Sequence, residues 1–445
     1  MKKIVILGGG ESGIGSAVLA KVKGFNVFLS DSGKLADKQI ITLKKYDIEF
    51  EECGHHPDKI SDADEIIKSP GIAETLPLIK KLKALEIPII SEIEFAGRYD
   101  NSTKICITGS NGKTTTTSII YYLLKNAGLN VGLGGNIGKS YAFQVATEQH
   151  DYYVLELSSF QLDGMYDFKA DIAILLNITP DHLDRYDFKM QKYINSKFRI
   201  TQNMSPNDCF IFCKDDDITV KNLGNIVTRA KKLPFSQKVE VNQGAYADSN
   251  KLIVKYENLE DYWMYLNELG LEGKHNIYNS MAAAITGKIM NISNKIIREA
   301  LMSFEGIEHR MEKILSLRDV LYINDSKATN MNSTWYALES MKRPVIWIAG
   351  GKDKGNDYSE IYDLVKTKVR CLICLGVDNK KLHKNFEDKV DKIYDCDSAE
   401  KAVKIAYTIA KSGEVVLLSP CCASFDLFKN YEDRGNQFKA AVRNL

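Results

Sequence analysis

Short apolar runs that end in glycine or polar turns recur along this chain, and stretches of helical period separate them. Lys3–Leu7, Asn26–Leu29, Ile66–Lys68 and Pro88–Ser91 read as strands, with helices over Ile14–Lys23 and Glu92–Gly97. The same rhythm returns at Lys104–Thr108, Tyr152–Leu157 and Ile172–Asn177, and again at Leu321–Asn324, Pro344–Ala349 and Val415–Leu418. Strands alternating with helices predict an α/β protein built on parallel sheets. Residues 206–270 are β-rich and carry no recognisable chemistry.

One stretch stands at the centre of this pattern. After the strand at 104–108 comes a turn, Gly109-Ser110-Asn111-Gly112, then Lys113, Thr114 and Thr115 open a helix with Ile119, Ile120, Leu123 and Leu124 on its apolar side. Strand, glycine turn and helix start make a phosphate cradle: backbone N–H groups point inward and the helix dipole favours an anion. Lys113 adds a positive charge and Thr114 a hydroxyl suited to Mg²⁺. The spacing is tighter than the general phosphate-loop form, because Ile107 stands where that form has its first glycine.

A second glycine turn lies near the start. Gly8, Gly10 and Gly13 satisfy G-x-G-x-x-G between a strand and a helix, and Asp31 ends the next strand. The N–H groups near Glu11 and Ser12 would receive a pyrophosphate. That pattern fits a nicotinamide dinucleotide, and hence an oxidoreductase, but a UDP-sugar carries a pyrophosphate as well.

Length and composition narrow the choice. The chain has 445 residues, too many for one ordinary core, with Asp100-Asn101-Ser102 as a linker. The expected fold is α/β in three domains: a Rossmann-like domain at 1–98, a central phosphate-loop ATPase-type domain at 99–304 and a Rossmann-like domain at 305–445. A net charge of +1 gives no footprint for nucleic acid. The apolar start stops at Leu7, too early for a signal peptide, and no apolar run is long enough to span a membrane. Nine cysteines without a secretory signal suit reduced thiols in the cytoplasm. Cys371 and Cys374 fall in a strand on opposite faces, and they read with Cys421-Cys422 as structural. The pair His55-His56 reads as an isolated surface pair.

Further candidates sit at predicted strand ends, where open α/β sheets bind ligands. Asn136 follows a strand with an amide to offer. Glu156 ends another and suits Mg²⁺. His182 lies between a strand and a helix, and Lys197 on the helix after it. His275, Asn276 and Asn279 cluster at a helix start. Arg310 suits phosphate or an adenine face, with His309 beside it. Asp325, Lys327 and Thr329 follow a strand, and Lys354 offers a charge for a carboxylate.

The segments SPGI (69–72), TGSNGKTTTT (108–117), DHLDRY (181–186), EGKHNIYN (272–279), NDSKATN (324–330) and SPCCASFDLFKNYEDRGNQF (419–438), in the order of the family's motifs, resemble the Mur ligase family. Its members add amino acids to the UDP-linked muramyl precursor of the bacterial cell wall. The resemblance implies that the first domain holds the UDP moiety, with Glu11, Ser12, Asp31, Ser32, Ser69, Pro70, Gly71, Asn136, Ser158, Gln161 and His182 on the UDP-linked substrate. Gly109–Thr115, Asn276, Asn279, His309, Arg310 and Asp325 would bind ATP. Thr114, Glu156, His182 and Lys197 would serve two Mg²⁺ sites, Lys197 as a carbamylated lysine. Lys327, Thr329, Lys354, Ser424, Phe425 and Tyr431 would hold the incoming amino acid. No D-N-P-R segment, typical of the members adding a diamino acid, occurs here, so the resemblance points to D-glutamate and UDP-N-acetylmuramoyl-L-alanine as partners. It implies an ATP-dependent amide ligase, cytoplasmic and monomeric, working through an acyl phosphate, with Lys113, His182, Lys197 and Asp325 in the catalytic machinery.

Overall fold

A computed structural model describes every residue except Ile307 and Lys354, and the side chain of Asn332 is likewise outside the description. Among these residues the strands form three sheets. The first contains β1 (Lys3–Leu7), β2 (Asn26–Ser30), β3 (Glu49–Glu51), β4 (Glu65–Lys68) and β5 (Ile89–Ile90), in the order β3-β2-β1-β4-β5. All its pairings are parallel.

The second sheet has nine strands: β6 (Thr103–Thr108), β7 (Val131–Gly135), β8 (Tyr152–Glu156), β9 (Ile172–Leu175), β10 (Cys209–Cys213), β11 (Lys231–Ser236), β12 (Gly244–Asp248), β13 (Lys251–Lys255) and β14 (Tyr262–Tyr265). Its order is β14-β13-β12-β11-β10-β9-β6-β8-β7, parallel through β12 and antiparallel in the last two strands. The β-rich stretch of the sequence therefore extends the central sheet. Chain order reverses around β6, so the C-terminal ends of β6, β8 and β9 border the crevice where such sheets take ligands.

The third sheet runs β15 (Glu312–Leu317), β16 (Val320–Asn324), β20 (Val415–Cys421), β17 (Val345–Gly350), β18 (Val369–Leu375) and β19 (Lys392–Cys396), with only β15 antiparallel. Alternation explains its two cores. Trp347, Ala349 and Leu417 pack on one face, and Ile346, Ile348, Val416 and Leu418 on the other. Cys374 belongs to the first of these faces, and all nine cysteines stand free.

The chain divides into two compact units, one of Met1–Gly270 with Asn276–Phe304 and the other of Leu271–His275 with Glu305–Leu445. The first unit holds two sheets joined by a continuous core that includes Ile4, Ala17, Phe95, Tyr141 and Leu155. Two buried carboxylates on the short helix Glu92–Gly97 bind the halves of this unit together. Glu94 Oε2 accepts from the backbone N–H groups of Tyr166, Asp167 and Phe168 at 2.9, 3.1 and 2.9 Å. Glu92 Oε1 accepts from the Ser140 hydroxyl and from Ala142 N–H at 3.1 Å, and burial raises its pKa. Gly15 permits the helices Glu11–Val22 and Tyr141–Thr147 to pack, since a Cβ there would lie 1.8 Å from Ser140 Oγ.

Candidate active site

The phosphate-loop segment forms as its residues suggest. β6 ends at Thr108, and the helix Lys113–Asn126 starts from Gly112, whose φ of 81° is left-handed and therefore suits glycine. The turn is tied to the strand end beside it. Ser110 N–H donates to Asn177 O at 2.9 Å, Asn111 N–H to Asn177 Oδ1 at 2.8 Å, and the Ser110 hydroxyl to Thr179 O at 2.8 Å. Asn177 thus shapes the loop, a role its position in the sequence did not single out. Thr114 and Thr115 are buried in the first helical turn. Thr116 donates to Asn279 Oδ1 at 3.0 Å and Asn279 to Asn276 Oδ1 at 3.0 Å, which brings both asparagines of the helix Lys274–Ile289 to the loop.

Two lysines converge on this turn. Lys113 Nζ donates to the Gly109 and Ser110 carbonyls at 2.7 and 2.9 Å. Lys197 Nζ, on a side chain only 2% exposed, donates to the same Gly109 oxygen at 2.7 Å and to Thr108 Oγ1 at 3.3 Å. On a helix whose period alone would allow a solvated lysine, the structure turns Lys197 inward. Burial, and then the charge of Lys113, drive its pKa well below the ordinary lysine value.

Glu156, the last residue of β8, is 1% exposed. Its Oε1 accepts from Asn136 Nδ2 at 2.8 Å, while Oε2 is buried with no hydrogen-bond partner among the described residues. A buried carboxylate oxygen without a donor is costly to keep, and a divalent cation would satisfy it. Glu156 and the Thr114 hydroxyl have the hard oxygen chemistry that Mg²⁺ takes, so these residues fit the ion.

His182 has a left-handed backbone, φ 51°, and a half-exposed ring packed against Phe160. Arg185, three residues on, donates to the carbonyls of Pro70, Gly71 and Ile72 at 3.3, 3.3 and 3.2 Å. It thereby joins the DHLDRY segment to SPGI across the two halves of the unit. Ser158 and Gln161 cap one helix reciprocally: Ser158 N–H donates to Gln161 Oε1 at 2.9 Å and Gln161 N–H to Ser158 Oγ at 3.3 Å.

At the edge of the first sheet, Asp31 accepts from Gly9 N–H at 2.5 Å and from Gly33 N–H at 2.7 Å, so it holds the glycine loop against the end of β2. Glu11 and Ser12 lie in the first turn of the next helix, Ser32 is exposed, and Ser69 Oγ donates to Gly8 O at 3.3 Å. His55 and His56 have acidic company after all. Ser30 and Glu51 are register partners on β2 and β3, and Glu51 reaches His56 Nδ1 at 2.7 Å. Glu51 stands only five residues before His56 in the chain, and strand register brings Ser30 to the same carboxylate.

In the second unit, Asp325 follows β16 and is buried. Its Oδ2 accepts from Ser419 at 2.8 Å and its Oδ1 from Met311 N–H at 3.3 Å, yet burial pushes its pKa up to about 7. His309 bonds through Nδ1 with Asn324 Nδ2 at 2.9 Å and packs against Tyr431; burial lowers its pKa. Lys327 stands over the Tyr431 ring, 5.3 Å from its centroid, and its N–H donates to His309 O at 3.0 Å. Arg310 keeps a buried Nε without a partner among the described residues. Thr329 N–H bonds to Lys327 O at 2.9 Å. Ser424 is buried, Phe425 is 66% exposed, and Lys354 lies outside the described residues.

Arg434 is the residue the sequence reading missed here. It is 1% exposed and donates to Ser326 Oγ and O at 3.0 and 2.9 Å, to Cys422 O at 3.2 Å and to Gly350 O at 3.4 Å. One guanidinium therefore pins the loops after β16, β17 and β20. Its place three residues after Tyr431, on the same helical face, was the available signal.

Models of three domains match the chain: the MurD N-terminal domain at residues 3–76, the Mur ligase middle domain at 107–287 and the Mur ligase glutamate ligase domain at 309–422. This chain belongs to the Mur ligase family. Relatives named UDP-N-acetylmuramoylalanine--D-glutamate ligase share 57% identity over 446 residues in Bacteroides thetaiotaomicron and 54% over 444 residues in Christiangramia forsetii, covering 100% of each chain. Two solved Mur ligases share the fold at lower identity. UDP-N-acetylmuramate-alanine ligase MurC from Thermotoga maritima is 18% identical, with full coverage of both chains and a TM-score of 0.63. MurF ligase from Thermotoga maritima in complex with ADP is 16% identical over 96% of this chain and 99% of its own, with a TM-score of 0.61. The oxidoreductase reading of the glycine turn at 8–13 loses its ground, because that turn lies inside the region matched by a Mur ligase domain.

Proposed function

We propose that this Mur ligase joins D-glutamate to UDP-N-acetylmuramoyl-L-alanine at the expense of ATP, forming an amide through an acyl phosphate. The observation that carries the reading is the meeting of Lys113 and Lys197 at the Gly109 carbonyl, on a glycine turn bordered by the unpaired carboxylate oxygen of Glu156. That arrangement suits a triphosphate tail and a cation together.

In this reading the loop 109–115, with Asn276 and Asn279, holds ATP, and His309, Arg310 and Asp325 orient it. Thr114 and Glu156 would hold one Mg²⁺, and His182 and Lys197 the other. Bound there, Mg²⁺ would offset the charge of the phosphate oxygens. Lys197 suits carbamylation because its buried position favours the neutral amine, the form that reacts with carbon dioxide. The UDP-linked substrate lies along Glu11, Ser12, Asp31, Ser32, Ser69, Pro70 and Gly71, and extends to Asn136, Ser158, Gln161 and His182. Lys327, Thr329, Lys354, Ser424, Phe425 and Tyr431 receive D-glutamate.

The chemistry follows from charge. An ionised carboxylate and an ammonium do not condense in water. The substrate carboxylate attacks the γ-phosphorus, ADP leaves, and Lys113 offsets the negative charge spread over the transferring group. The amine of D-glutamate then attacks the activated carbonyl, and the tetrahedral intermediate expels phosphate. A nucleotide-linked substrate and nine free cysteines suit the cytoplasm. No helix among the described residues is long and apolar enough to cross a membrane.

The test is phosphate release from ATP with UDP-N-acetylmuramoyl-L-alanine across a panel of amino acids. Release with D-glutamate and not with L-glutamate, alanine or diamino acids is expected, and Lys113→Ala abolishes it. Release with another amino acid in its place would overturn the D-glutamate assignment, and unchanged release in Lys113→Ala would overturn the assignment of the loop.

A further inference from the structure

The first sheet ends in a side-chain network that the proposed reaction does not use. Ser30 and Glu51, both buried, close β2 and β3 side by side, and the Ser30 hydroxyl lies 2.6 Å from Glu51 Oε1 and 2.6 Å from His55 Nδ1. Glu51 also accepts His56 N–H at 2.9 Å and meets His56 Nδ1 at 2.7 Å. The segment carrying His55 is stitched to the turn after β2: Cys53 N–H donates to Gly33 O at 2.9 Å and Gly54 N–H to Asp31 O at 3.2 Å.

These contacts fix the proton on His55. Burial opposes ionisation of Glu51, but hydrogen bonds from Ser30 and His56 outweigh it and hold the carboxyl below its usual value. An ionised carboxylate only accepts, so the single Ser30 proton goes to Glu51. The Ser30 oxygen is then left to accept from His55, which must carry its proton on Nδ1. In neutral His55, Nε2 is a bare acceptor, and no described residue bonds to it.

We propose that His55 reads the nucleobase of the UDP-linked substrate, with Nε2 accepting the N3–H of uracil. This rests on the reading of the first sheet's edge as the UDP site. Uracil presents a donor at N3 between two carbonyl acceptors. Cytosine presents a lone pair at N3, which would face the lone pair of Nε2. The network therefore selects uridine over cytidine nucleotides, and Ser30 and Glu51 are positioning residues that hold the tautomer.

The experiment is calorimetric titration of the full chain with UDP and with CDP, for the parent and for His55→Ala, His55→Gln and Ser30→Ala, with thermal unfolding recorded for each. The parent should prefer UDP by roughly ten- to a hundredfold, as one buried hydrogen bond gained against one repulsion predicts. His55→Ala should weaken UDP and, with the facing lone pair gone, tighten CDP, so the preference collapses from both sides. His55→Gln, whose amide oxygen keeps an acceptor, should restore part of it, and Ser30→Ala should lose part of it with the imidazole still present. A purely structural role would weaken both nucleotides equally, and that result would overturn the proposal. So would an undiminished preference in His55→Ala, with the UDP site itself intact. If UDP fails to bind the parent, the reading of the first sheet's edge falls too.

Discussion

Lys113 and Lys197 place their nitrogens on one atom, each 2.7 Å from the carbonyl oxygen of Gly109. Lys197 is the buried one, and burial together with the charge of Lys113 lowers its pKa well below the ordinary lysine value. The proposed carbamate draws on that shift toward the neutral amine. Lys197→Ala should cut amide formation by at least roughly a hundredfold, the upper end of what loss of a group supporting a metal site costs. Short carboxylic acids should restore part of the rate. A full-rate variant, or one that no carboxylic acid rescues, would count against a carbamylated lysine.

The same amine sets a pH dependence of stability. Its folded pKa lies well below the unfolded value of 10.5, so the unfolded chain binds more protons across the interval between them. Stability therefore rises with pH through that interval. Lys197→Met should melt higher than the parent at pH 7, and the difference should shrink as pH approaches 10. Parallel melting curves across that range would contradict the burial argument.

Asp325 works with the opposite sign. Its carboxyl is pushed up to about 7 from 3.8, so the folded chain retains a proton that the unfolded chain has lost between these values. That stabilisation is fully present below about pH 4 and is lost as pH rises through about 7. Asp325→Asn should be more stable than the parent at pH 8, by at most about 4 kcal/mol, and the gap should close toward pH 4. Denaturant unfolding at the two pH values measures it.

Glu94 tests the joint between the first two sheets. One oxygen of this carboxylate takes three backbone N–H groups from Tyr166, Asp167 and Phe168. Glu94→Ala leaves three donors without it and should cost about 2–4 kcal/mol of stability in denaturant unfolding. A loss below about 0.5 kcal/mol would mean that water replaces the carboxylate without penalty.

What could be read from the sequence was whatever is local in the chain. The turn at 109–112, the glycines at 8–13 and the polar run at 324–330 each carry their signal within a few residues, because strand, turn and helix start are contiguous. What stayed hidden depends on partners brought from elsewhere. Glu51 becomes the partner of Ser30 only through strand register, and Arg434 becomes the clamp of three loops only once β16, β17 and β20 are neighbours. Lys197 shows the limit most clearly, since helical period alone cannot say whether a lysine faces solvent or a glycine turn. The two carboxylates of Glu92–Gly97 were likewise invisible, because their donors lie some fifty to seventy residues away in the chain.

The central claim is that the substrate carboxylate takes a phosphoryl group before nitrogen takes its place. It is tested by labelling both carboxyl oxygens of the alanyl group of UDP-N-acetylmuramoyl-L-alanine with oxygen-18 and analysing the phosphate released with ATP and D-glutamate by mass spectrometry. An acyl phosphate requires one labelled oxygen in each phosphate and one retained in the amide. Phosphate free of label, formed in step with the amide, would contradict the account.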